Sequence, residues 1–215
     1  MWASRTGKWR DNRDGAGVSG IFERYEADDV RDLIGEFPLA WLCTACGDAE
    51  QASLLPLLGE YDADGNLTHL VGHMARRNPL HAALSEAPRA LVLFKGPDGY
   101  VSPDHAGATD WAPTWNYAQV RIEADIVFEP EETEAALNLL IEAMADGPAW
   151  DKAALGARYP AMLSAIIGFR AAVTRASAKF KLGQDEKPDT LRTILASHPD
   201  PVLVRWMRRF NKERV

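Results

Sequence analysis

The sequence predicts an α+β fold: an antiparallel sheet that closes into a small barrel, with helices at its periphery. Three observations point there. Six or more short strand-like runs are separated by hairpin signals. Helical stripes fall between strands as helix, strands, helix, strand and then helices. The run from Trp115 to Phe128 alternates for its whole length, with Val120, Ile122, Ala124, Ile126 and Phe128 facing one way and Arg121, Glu123 and Asp125 the other. With 215 residues, 47% of them hydrophobic, the chain suits one globular domain with small appendages.

The elements follow in order. Residues 1–20 read as a flexible extension. Asp28 or Asp29 caps a helix whose Val30, Leu33, Ile34 and Phe37 recur at helical spacing, and Pro38 ends it. A strand over 39–45, a turn at Gly47-Asp48 and a strand near 51–58 come next. Asp62 to Asn66 is a hairpin turn, followed by a strand from Leu67 to His73. Asn78-Pro79 opens a short helix carrying Leu80 and Leu84. Ala90 to Phe94 is a buried strand, and 102–113 is a loop. After the long strand, Pro130 starts a helix with Glu131, Glu132 and Glu134 in its first turn, where the helix dipole favours them. Gly147-Pro148 stops it. A strand over 167–173 and helices near 189–196 and 201–213 close the chain. The expected division is an extension at 1–20, a barrel domain at 21–196 and a basic amphipathic helix at 197–215.

The net charge is −7, but the last fourteen residues carry +4 and the first fifteen +2, so the stretch between carries −13. An acidic body argues against nucleic acid as a partner, and no helix-turn-helix pattern is recognisable. No apolar run approaches the ~18 residues of a membrane-spanning helix. The N-terminus is basic and polar without an apolar segment, so a cytoplasmic protein is expected. Cys43 and Cys46 form a lone C-x-x-C on a strand, too few ligands for zinc, and read as two ordinary buried thiols. Gly15 to Gly20 matches G-x-G-x-x-G, but no strand precedes it, which excludes a dinucleotide loop. His69 and His73 share a strand face without a third ligand, so no metal site is expected.

Two strings do not read as core. Gly72-His73-Met74-Ala75-Arg76-Arg77-Asn78-Pro79 and Pro113-Thr114-Trp115-Asn116-Tyr117 both crowd polar donors beside a Pro or Gly. Buried polar groups need partners, so two such clusters suggest a polar ligand. Read with Phe94-Lys95-Gly96-Pro97-Asp98-Gly99-Tyr100-Val101-Ser102, Ile167-Gly168-Phe169 and Lys181-Leu182-x-Gln184, in this order from about Phe22 to Leu195, they resemble the PaiB-type FMN-binding proteins, a family often labelled negative transcriptional regulator.

That resemblance implies a split β-barrel of the pyridoxamine-phosphate-oxidase type. It implies a homodimer that holds FMN between subunits. His73, Arg76, Arg77 and Asn78 then fall where phosphate and ribityl contacts lie, with Gly72 allowing close approach. Thr114, Trp115 and Asn116, with Lys181 and Gln184, fall where further flavin contacts lie. From the residues alone, Arg76 and Arg77 read first as solvated cations in a strand-to-helix connection, and Asn116 equally as a structural hydrogen-bonding residue or a ligand contact. Three positions depart from the family pattern. Leu54 stands where a His is common, His105-Ala106 where a Trp-Tyr pair is common, and Glu186 where an Arg is common. The expected function is an FMN-binding protein, with a flavin-dependent oxidoreductase acting on a small molecule as its activity. A PaiB-like transcriptional regulator and a barrel that has lost its cofactor are the alternatives.

Overall fold

The computed structural model describes residues 20–44, 51–145 and 152–215. The expected extension over 1–19, the turn at Gly47-Asp48, Cys46 and the stop at Gly147-Pro148 lie outside them. Among the described residues seven strands form one sheet: β1 Leu39–Thr44, β2 Ala52–Pro56, β3 Leu58–Tyr61, β4 Leu67–Ala75, β5 Arg89–Val101, β6 Thr114–Phe128 and β7 Ile166–Lys181. Their order is β2-β1-β5-β6-β7-β4-β3. β1 pairs antiparallel with β2 and β5, and β4 with β3 and β7. The helices are α1 Ala27–Glu36, α2 Pro79–Glu86, α3 Pro103–Ala106, α4 Thr133–Ala143, α5 Arg158–Ser164, α6 Pro188–Ser197 and α7 Pro201–Phe210. The antiparallel α+β class read from the sequence holds.

The chain divides into two compact units. The first comprises Ala27–Phe94 and Arg121–Ala176. Its core takes Val30, Leu33 and Ile34 from α1, Leu70 and Met74 from β4, Val92 and Phe94 from β5, and Ile122 and Ala124 from β6. Removing each of the larger side chains from water contributes about 1.5–3 kcal/mol. The inner face of β4 is tightly filled. A Cβ on Gly72 would stand 2.5 Å from Leu57 and 3.2 Å from Phe169. The glycine expected to admit a ligand instead admits core side chains.

The second unit comprises 20–26, Lys95–Val120 and Ser177–Val215. Asp200 caps α7, accepting from the Val202 and Leu203 N–H groups at 2.8 and 3.1 Å. The apolar face of α7 docks Trp206 and Phe210 on Phe180, with ring centroids 6.0 and 4.5 Å away. Arg214 donates to the carbonyls of Gly183, Gln184 and Glu186, and Asn211, 1% exposed, donates to Leu182 O at 3.0 Å. The C-terminal helix is therefore built into this unit.

Three elements differ from expectation. β5 runs past Gly96-Pro97, residues that read as a stop; the in–out alternation breaks there because both are buried. β7 extends to Lys181, and its alternation changes parity between buried Ala171 and buried Ala178. Within the expected loop, Pro103–Ala106 forms α3, closed by a capping box between Ser102 and His105.

Candidate functional site

The two expected residue sets lie in different units. In the first unit the set runs from the end of β4 into α2. His73 is opposite Gly168 of β7, so both point to one face of the sheet. A Cβ on Gly168 would meet Thr133 and Ala136, so that face is the one α4 covers. His73 is half-buried, and its Nδ1 is a buried polar atom with no hydrogen-bond partner among the described residues. Burial pushes its pKa down, which keeps the imidazole neutral near pH 7. It therefore brings a hydrogen-bonding nitrogen and no positive charge.

Arg76 and Arg77 are both exposed, in different ways. The Arg76 N–H donates to Ala165 O at 2.9 Å and its Nε to Ser164 O at 3.2 Å, which ties the strand end to the turn after α5. Arg77 makes no hydrogen bond or ion pair among the described residues. Asn78 is the N-cap of α2: its Oδ1 accepts from the Leu80 N–H at 3.0 Å, and its Nδ2 donates to Ser53 Oγ at 2.9 Å. Replacing such a cap costs about 1 kcal/mol.

In the second unit, Lys181 Nζ donates to Thr114 Oγ1 and, at 3.1 Å, to Trp115 O. Three of the five expected residues are thus joined. The other two turn inward. Asn116 is buried, its Nδ2 3.6 Å from Met207 Sδ on α7. Gln184 closes the turn after β7, accepting from Leu182 N at 2.7 Å and donating to Phe180 O at 2.6 Å. The ring of Trp115 points out, and its Nε1 donates to Asp98 Oδ2 at 3.0 Å. Asp98 was not singled out in the sequence. Its pairing with Lys95, at 2.7 Å, was the available signal: two opposite charges three apart in one strand.

The three departures have structural answers. Leu54 is exposed and sits opposite Trp41. His105 Nδ1 accepts from the Ser102 N–H within the α3 capping box. The Glu186 carboxylate accepts from Trp111 Nε1 at 3.0 Å. The reversed charge at 186 thus has its own partner.

A family model described as "Putative FMN-binding domain" matches residues 18–175. The "Protease synthase and sporulation protein PAI 2" of Bacillus subtilis is 26% identical over 183 residues, covering 83% of this chain and 86% of that protein. An uncharacterized protein of Emericella nidulans is 31% identical over 201 residues, covering 73% of this chain and 79% of that protein. Among solved structures, the flavocytochrome Anf3 of Azotobacter vinelandii superposes with a TM-score of 0.58 at 16% identity, over 88% of this chain and 81% of that one.

Proposed function

Since the chain belongs to the FMN-binding domain family, with its α+β split-barrel fold, we propose that it is a flavin-dependent oxidoreductase holding FMN through the segment from His73 to Asn78. The observation that supports this is that one segment carries both a buried imidazole nitrogen at His73 and an exposed guanidinium at Arg77, neither with a hydrogen-bond partner among the described residues. Buried polar atoms rarely stay unpaired without a reason. Arg77 supplies the charge a phosphate needs, and its planar fork suits phosphate oxygens. His73, being neutral, offers a hydrogen bond to a hydroxyl of the ribityl chain. Arg76 and Asn78 hold the segment in shape through Ser164, Leu80 and Ser53. In the second unit, Lys181 joins Thr114 and Trp115 in a cluster of their own, while Asn116 and Gln184 are turned into the interior of that unit. When bound, FMN supplies one- and two-electron transfer at its ring.

The same reading makes the protein a cytoplasmic homodimer. In support, Trp41 lies between Leu54 and Leu93 across three strands, and all three, with Leu39, are exposed. Contiguous exposed apolar side chains mark association surfaces. DNA is not part of this reading. The body is acidic, Arg209 lies over the Trp206 ring at 5.1 Å, and Arg214 is turned onto backbone carbonyls.

The test compares FMN with riboflavin, which lacks the phosphate. A charge-assisted hydrogen bond contributes about 1.5–3 kcal/mol, or roughly 10- to 100-fold in Kd. Arg77→Ala weakens FMN binding by that factor and leaves riboflavin affinity unchanged. Equal losses for both ligands, or no loss, would remove Arg77 from the phosphate.

A further inference from the structure

Residues 152–165 of the first unit bury no side chain. They comprise a single helical turn at Lys152–Leu155, Gly156 in the left-handed region at φ 51°, and α5. A Cβ on Gly156 would meet nothing within 4 Å. The stretch is fixed at two places. Glu134, in the first turn of α4, accepts on one carboxylate oxygen from Lys152 Nζ at 2.5 Å and from the Tyr159 hydroxyl at 2.9 Å. The bond from Lys152 holds the Glu134 carboxyl below its ordinary range, so it stays ionised at neutral pH. At the far end, the Arg76 N–H donates to Ala165 O at 2.9 Å and Arg76 Nε to Ser164 O at 3.2 Å.

Both anchors lie beside His73. Arg76 follows it by three residues. Thr133, next to Glu134, accepts the Gly168 N–H on its hydroxyl at 3.0 Å, and Gly168 is the cross-strand neighbour of His73. His73 poses a problem of access. Its Nδ1 is buried without a partner, so a ligand that bonds to it needs a way in. The strands cannot supply one, because β4 and β7 pair continuously from His69 to Ala75. Nor can the start of α4, which Thr133 fastens to Gly168. Local opening costs least where few apolar contacts are lost, and that describes residues 152–165.

We propose that residues 152–165 form a lid, hinged at Ala165 and latched by Glu134, whose opening admits the ligand to His73. The Arg76 N–H bond to Ala165 O continues the pairing of β4 with β7 and serves as the hinge. The bonds to Glu134 are exposed, and exposed ion pairs exchange readily with water, which suits a latch. This deepens the FMN reading and rests on it.

The test uses the full-length protein and two readouts. The first is limited digestion with trypsin. Arg158 is exposed on the lid, and cleavage after it follows the population of the open form. Glu134→Ala and Lys152→Ala each raise the cleavage rate at Arg158 by about fivefold, the scale of an exposed ion pair with its hydrogen bond. Melting temperature and circular dichroism stay close to wild type, which separates a released latch from a damaged fold. The second readout is the rate of FMN uptake and release by protein freed of cofactor. A gate opens for entry and exit alike, so both rate constants rise together in the two variants and Kd changes by less than about twofold. Unchanged cleavage in both variants would overturn the hinged lid. Raised cleavage with unchanged FMN rates would overturn the gate and leave the FMN reading standing. A wild type that takes up no FMN would overturn the FMN reading and the gate with it, while cleavage at Arg158 would still decide whether the lid opens.

Discussion

At His73 the sequence and the structure assign different chemistry to one side chain. In the sequence it stands with two arginines among the expected phosphate and ribityl contacts, with no protonation state attached. Burial makes it a neutral nitrogen without a partner, because the strand pairing with Gly168 turns it under α4. Nothing local in the sequence carries that information; it depends on which face of β4 a distant helix covers. The consequence is measurable. A histidine whose folded pKa lies below its unfolded value takes up its proton first in the unfolded chain. Stability is then flat above the ordinary histidine value of about 6.5 and falls as pH drops below it, down to the folded pKa. Urea titrations between about pH 7.5 and pH 5 detect this slope. It is absent in His73→Asn, whose stability relative to wild type improves as pH falls. Identical slopes in the two proteins would contradict the buried neutral imidazole. Asp62, Glu123 and Glu134, whose pKa values are lowered by hydrogen bonds, act only in the carboxylate range further down and cancel in the comparison.

Elements were legible where the signal is periodic or chemical. The 3–4 spacing of α1, the Asn78-Pro79 start of α2 and the alternation of β6 all gave the observed elements. The lengths of β5 and β7 were not legible, since Gly96-Pro97 and the polar run around Thr174-Arg175 mimic strand ends. α5 carries Pro160 and buries no side chain, so it has no stripe to read. The outer face of β2, β1 and β5 carries the association prediction. The outer face of β6 carries the charged Arg121, Glu123 and Asp125. The apolar row is Leu54, Trp41 and Leu93. Wild type sediments as a dimer at micromolar concentration. Trp41→Lys, at a residue 49% exposed, shifts it to monomer with its melting temperature little changed. A wild-type monomer, or a Trp41→Lys dimer, would remove this face from the interface.

Across the whole molecule, family membership was legible because separated motifs kept their order, and each is a local string. The division into units was not. The sequence suggested an appended helix from residue 197, whereas Ser177–Val215 forms one compact unit with Lys95–Val120. Arg214 and Asn211 hold the turn after β7 by bonds between residues about thirty apart, which no local pattern announces. The family match ends at residue 175, so Lys181 and Gln184 rest on the structure of this second unit for their placement. The central claim is that the chain holds FMN despite Leu54, His105 and Glu186. The most direct measurement is the absorption spectrum of the purified protein, with chemical identification of any flavin released on denaturation and an FMN titration of the stripped protein. The account predicts flavin bands, FMN as the released species, and saturable uptake at ~1 μM or below. A protein that carries no flavin and takes up none at ~1 mM FMN, or one whose spectrum shows a haem band alone, would contradict it.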